Sequence, residues 1–206
     1  LLKYWIIKRN SILENRTTPF LDSNRIICVS EKFDYALYKY TIERLFSCDK
    51  NRLDENKICR DILVYIDSYG GDLSKFLGLH DIMHNILYSD VATICTSWAT
   101  SAAGLLLLSG TKGKRFCTPN ATIMLHSSTG ETRGNIKEVD NYVENMWKRE
   151  EKRMVDIILK RTKITKKQLK DIMSKDTWLS AEECLKLGII DHIIKKPNDL
   201  YSKINI

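Results

Sequence analysis

Proline and glycine are scarce in this chain, at 3 and 9 of 206 residues, while 43% of it is apolar and 29% charged. That balance excludes a wholly disordered chain and suits a globular one with a sizeable core. Long hydrophobic runs are missing. The longest, near 91–109, is interrupted by Thr, Ser and Gly, and a spanning helix needs roughly 18–20 apolar residues, so no membrane partner is expected. No Cys-x-x-Cys pair occurs among Cys28, Cys48, Cys59, Cys95, Cys117 and Cys184, and their spacing fits no zinc module. They read as small buried hydrophobes in a reducing compartment, with Cys28 and Cys95 inside apolar, strand-like runs. A Gly-x-Gly-x-x-Gly dinucleotide fingerprint is absent. The net charge of +7 permits an anionic partner, but the basic residues are interspersed with Glu and Asp. No nucleic-acid-binding motif is recognisable, so no nucleic-acid partner is expected. The first residue is Leu1, not Met, which suggests that an upstream segment has been removed.

What is present is alternation of strand and helix patterns. Residues 25–29 (RIICV), 62–67 (ILVYID) and 91–95 (VATIC) read as buried strands. Helical spacing marks 34–47, 72–88 and 102–109, with 48–61 as a polar loop. Short strands are expected at 114–117 and 122–126. A long helix follows over 135–161, its apolar stripe including Val143, Met146, Trp147 and Met154. A short helix spans 164–173. Ser180 with Glu183 fits a capping box for a helix that Gly188 ends, before a last strand at 188–194. Such alternation implies βαβ units and a largely parallel sheet. The length suggests one domain, 25–195, with an N-terminal arm (1–24) and a frayed tail (196–206).

Three constellations could carry chemistry. His80 and His84 sit at i and i+4, as on a zinc helix, but Asp81 replaces the usual glutamate and no third ligand follows. A polar helix face is the simpler reading. Gly70-Gly71 follows the strand ILVYID, where a tight turn exposes backbone N–H groups to an oxyanion or phosphate. The third is Ser101, His126 and Asp176. Ser101 follows VATIC by a short turn and precedes an apolar helix, whose free N–H groups favour developing negative charge. His126 ends the strand TIMLH, and Asp176 in a turn before WLSAEE could orient its imidazole.

The segments ICTSWATSAAGLLLLSGTKGKRFCTPNATIMLH and DTWLSAEECLKLGIIDHII resemble ClpP, the peptidase subunit of the Clp protease. SYGGD at 68–72 is similar to that family's Ser-Pro-Gly-Gly oxyanion segment. The similarity covers about 25–195. The run GTKGKRFCTPN (110–120) is its most specific part, and the step from Ser101 to His126 matches without a gap. The resemblance implies an α/β fold of the ClpP/crotonase type, with repeated βαβ units and a protruding helix–strand handle. It places the nucleophile at Ser101, the base at His126 and its orienter at Asp176, with oxyanion-hole N–H groups at Gly71 and Ala102. It also implies no cofactor or metal, a homo-oligomeric or mixed ring with ClpP subunits, an AAA+ unfoldase partner and unfolded polypeptide substrates.

The chain also departs from the family pattern. Gly-x-Ala-x-Ser-Met-Gly reads Ser97-Trp98-Ala99-Thr100-Ser101-Ala102-Ala103, Tyr69 replaces a proline, and Ser127-Ser128 replaces Gln-Pro, which changes the substrate-pairing strand that the resemblance implies. Should position 97 or 103 need φ > 0, the nucleophile turn is strained or reshaped. The pattern is similar to the ClpR subunits of plastid complexes, although all three triad residue types are present. It implies a poorly active or non-catalytic ring subunit of the barrel-shaped core of an ATP-dependent protease. The alternative is an active ClpP-type serine endopeptidase using Ser101, His126 and Asp176. A crotonase-like acyl-CoA enzyme shares the Gly-Gly turn and the Leu-Ser-Ala-x-Glu ending, but the Ser101–His126 step and the 110–120 run argue against it. Lys-, Asn- and Ile-rich usage suggests an organelle of bacterial origin, a plastid or apicoplast, with a cytoplasmic address as the alternative.

Overall fold

The computed structural model describes residues 25–130 and 134–205. The expected N-terminal arm, 1–24, lies outside them. Five parallel strands lie side by side in the order β1 (Ile26–Val29), β2 (Ile62–Ser68), β3 (Val91–Thr100), β4 (Arg115–Cys117) and β7 (His192–Ile193). Parallel neighbours need crossovers, and helices α1 (Tyr35–Lys50), α2 (Leu73–Asn85) and α3 (Ala102–Leu108) supply the first three. Asp34 and Asp72 cap α1 and α2 by accepting from the N–H groups of Leu37 and Ser74. The first half of β3 pairs with β4 and its second half with β5 (Thr122–Leu125). Strand β6 (Thr177–Ser180) then adds to β5 in antiparallel fashion. This is the mostly parallel α/β architecture that the sequence implied.

The two sheet faces are covered differently. On one, Phe33, Phe76, Leu79, Leu106, Leu107 and Ile158 belong to a large apolar cluster between sheet and helices. On the other, Leu63, Ile94 and Phe116 form a smaller cluster that Leu200 and Ile204 cover. The tail expected to fray therefore packs. Residues Asn198–Tyr201 form a short helix, and Asp61 exchanges hydrogen bonds with Asn205: the Asp61 N–H donates to the Asn205 carbonyl at 2.7 Å, and the Asn205 N–H donates to the Asp61 carboxylate at 3.0 Å. Burial of two apolar side chains offsets the ordering entropy that composition alone left uncompensated.

Other expectations shift. Helix α1 runs on to Lys50, inside the stretch read as a loop. Strand β3 continues five residues past VATIC, so Ser101 follows the strand directly, with no intervening turn. Within 188–194 only His192 and Ile193 join the ladder. Cys28 is exposed, not buried. It sits on the edge strand β1, where side chains alternate between faces, and its neighbours Ile27 and Val29 take the covered one.

The long helix forms as α4 (Ile136–Tyr142), a π-helical turn (Val143–Trp147) and α5 (Lys148–Arg161). No residue up to Trp147 is buried, whereas Met154 and Ile158 are. Its first half thus stands off the body and its second half seats in the core. Helices α6 (Lys166–Met173) and α7 (Ala181–Leu187) complete the domain, α7 with the expected capping box and with Gly188 in the left-handed conformation. Among the described residues no helix is long and apolar enough to cross a membrane.

Candidate active site

Strand register gathers the three chemical residues. Thr100 of β3 pairs with Met124 of β5, and the Ser101 N–H donates to the Met124 carbonyl at 2.9 Å. Leu125 pairs with Thr177 of β6. One step beyond, the register sets His126 opposite Asp176. Ser101 Oγ lies 2.9 Å from His126 Nε2, and His126 Nδ1 lies 3.3 Å from Asp176 Oδ1. An ionised carboxylate only accepts, so Nδ1 carries the ring proton; Nε2 is then left to accept from the Ser101 hydroxyl. The Asp176 side chain is 61% exposed and that of His126 20%.

Ser101 adopts φ 56° and ψ −126°, a conformation that turns the chain sharply from β3 into α3. Positive φ falls on Ser101 itself, not on Ser97, which lies in β3, or Ala103, which lies in α3. The missing glycines therefore impose no strain on the turn. Trp98 does not crowd it either: its ring packs 5.6 Å from those of both Tyr69 and Trp178.

The Gly-Gly turn presses directly on this corner. A Cβ on Gly70 (φ +83°) would sit 2.4 Å from the Thr100 carbonyl oxygen and 2.8 Å from the Ala102 nitrogen. Phe33 donates to the Gly70 carbonyl and accepts from the Asp72 N–H, at 2.8 and 2.9 Å. Alternation along the backbone leaves the Gly71 N–H on the side away from Phe33. The Ala102 N–H, first in α3, has no helical carbonyl four residues back. Both residues line a groove of ≈ 1290 Å³ with Ser101, His126, Tyr69 and Met124. In its wall, burial pushes the Glu150 carboxyl up, and nearby Asp72 adds to the shift.

The histidine pair does not gather a metal site. His80 Nδ1 is 2.9 Å from Ser109 Oγ, and His84 Nε2 donates to the Ser109 carbonyl at 2.7 Å. Among the described residues no group of three His, Cys, Asp or Glu could hold a metal ion. Burial, with His84, Arg161 and Lys160 adding positive charge, pushes His80 down to about 4. Two features of the groove escaped the sequence reading. Strand β6, which follows Asp176 and sets it against His126, is not predicted by the sequence, because TWLS is too short to show alternation. Trp147 was counted only as part of an apolar stripe, yet its indole reaches Ser128.

A family model described as Clp protease matches residues 11–197. The chain belongs to the Clp protease family. It is similar to the ATP-dependent Clp protease proteolytic subunits of Dehalococcoides mccartyi strains BAV1 and CBDB1. Each is 31% identical to it over 175 residues, which cover 85% of this chain and 84% of the relative. The acyl-CoA reading falls away with that match. The Clp-like run 110–120 has a structural reason. Gly110 packs against Thr93, where a Cβ would lie 2.2 Å from the Thr93 Oγ1, and Gly113 turns at φ +89°. Lys114 bonds Asp61 and Asp90, each at 2.8 Å. Arg115 grips Asp191 with two hydrogen bonds of 2.8 and 2.6 Å. The run fastens β4 to β2, β3 and the C-terminal segment.

Proposed function

We propose that this chain is a catalytically competent Clp-type serine endopeptidase subunit, cleaving unfolded polypeptide through an acyl-enzyme on Ser101. The observation that carries this reading is the continuous contact from Ser101 through His126 to Asp176. His126 Nε2 takes the hydroxyl proton as Ser101 Oγ bonds to the scissile carbonyl carbon, and Asp176 stabilises the imidazolium. The Gly71 and Ala102 N–H groups receive the negative charge on the carbonyl oxygen. As the C–N bond breaks, His126 returns its proton to the departing amine. Water then repeats the sequence in reverse, with His126 as base, and frees Ser101. Part of the case for a non-catalytic ClpR-like subunit lay in Ser97 and Ala103, and neither position has the positive φ that would call for glycine; the changes at Tyr69 and Ser127-Ser128 remain.

By the same family relation, we assign the chain to a homo-oligomeric or mixed ring that receives substrates from an ATP-dependent unfoldase; its Lys-, Asn- and Ile-rich composition, not the family match, supports an organelle of bacterial origin. The test of the site is a fluorophosphonate probe followed by peptide mapping. Ser101 is expected to be the acylated residue in the assembled protein, and Ser101→Ala to abolish labelling and lower peptide cleavage by at least about 10³-fold. Cleavage that persists in Ser101→Ala refutes the assignment.

A further inference from the structure

We propose that Trp147, on the π turn of the handle helix, is a positioning residue for residues 127–130, the segment that the family resemblance makes the substrate-pairing edge; this rests on the peptidase reading above. Residues 127–130 leave β5 directly after His126, and Ser128, Thr129 and Gly130 line the same groove as Ser101. Among the described residues, they make no backbone hydrogen bond. Among the described residues their one hydrogen bond comes from the handle: Trp147 Nε1–H donates to Ser128 Oγ at 2.6 Å. The same indole covers the open side of Gly130, where a Cβ would meet three of its ring carbons at 3.5–3.8 Å.

The segment is thus gripped through one hydroxyl and one glycine face, while its peptide N–H and C=O groups stay unspent. Unspent backbone groups on an ordered edge are what an extended peptide pairs with, main chain to main chain. The π turn Val143–Trp147 ends on the gripping residue. Such turns change the angular phase of the side chains that follow, and they concentrate at functional sites. Here the phase brings Trp147 over the segment while Met154, two turns on, is buried and lines the groove. His126 has its own partners in Ser101 and Asp176. Loosening the edge therefore weakens substrate binding more than it disturbs the proton relay.

The experiment uses the assembled full chain with Trp147→Phe, Ser128→Ala and Ser128→Thr. For a peptide long enough to lie along the edge, Trp147→Phe and Ser128→Ala are each expected to raise KM five- to ten-fold. Their kcat should stay within two-fold, and the double variant should be no worse than either single one. Ser128→Thr, which keeps the hydroxyl, should restore KM. The rate at which a small fluorophosphonate labels Ser101 should not change, because the probe does not reach the edge. Nicking within 127–130 by added proteinase K should accelerate at least ten-fold in Trp147→Phe. Unchanged KM with unchanged nicking overturns the proposal, as does a fall in kcat at constant KM. No labelling of Ser101 in the unsubstituted chain overturns the peptidase reading and the substrate role of the edge together. The proteolysis measurement still reports separately whether the indole holds the segment.

Discussion

Ser101 carries a backbone conformation that costs of order 1–3 kcal/mol for a residue with a side chain, and the surroundings must enforce it. Gly70 is part of that enforcement, because its bare Cα allows the oxyanion turn to touch the Thr100 carbonyl. Gly70→Ala adds a Cβ against backbone atoms at a positive φ, so it is expected to lower the melting temperature and to abolish fluorophosphonate labelling. Scanning calorimetry and labelling of the same sample check both; an unchanged melt would show that the close approach is not needed. Asp176 acts differently, since it touches His126 and not the nucleophile. Asp176→Asn presents an amide that can donate to Nδ1 and so favours the wrong tautomer. It is expected to lower kcat by about 10²–10⁴-fold with little change in stability, measured by steady-state peptide cleavage.

Among the elements, β4 depends most on charge. Arg115 is buried at 3% exposure and answered by Asp191. Burial alone would raise the Asp191 carboxyl, but the Arg115 hydrogen bonds and charge, with the Gly113 N–H, carry it below the ordinary 3.8. A lowered carboxylate gives stability that is present above pH 3.8 and lost as the pH falls through the folded value. Asp191→Asn leaves a buried guanidinium without its countercharge and is expected to cost about 3–5 kcal/mol at pH 7, measured by urea denaturation. The deficit should shrink at pH values where the wild-type carboxylate is itself protonated. Helix α2 also loses stability in acid, but over a higher pH window. His80 takes a proton near pH 6.5 when unfolded and near 4 when folded, so its contribution is whole above 6.5 and fades as the pH drops towards 4. His80→Gln should therefore lose less melting temperature than the wild type between pH 7 and pH 4.5.

For the whole molecule, the surface is informative. The handle exposes Ile136 at 81%, and Tyr142 and Met146 lie open beside it. Apolar side chains on a rod that stands off the body suit contact between subunits. The assigned ring should appear as a species several times the 23.9 kDa chain mass in analytical ultracentrifugation at micromolar concentration. Arg149 and Arg153 are exposed on the same helix. Their joint reversal to Glu is expected to weaken stacking between rings, with the larger effect at low salt, where surface charges are least screened. A monomer at all salt concentrations would contradict the assembly.

The sequence by itself determined the type of the longer elements, the parallel sheet, the caps at Ser180 and Gly188, and the residue types at Ser101, His126 and Asp176. These follow from local periodicity, turn chemistry and a family-like run, all of which are written in consecutive residues. Only the tertiary structure decided whether the three side chains meet. The meeting depends on β3 running on to Thr100 and on the β5–β6 register that sets His126 against Asp176. Strand length and register are settled by partners distant in sequence, and a four-residue strand such as TWLS carries too little pattern to declare them. The same holds for the positive φ at position 101, the packed tail and the Trp147–Ser128 contact. Each is a property of two segments pressed together, and neither segment alone encodes it.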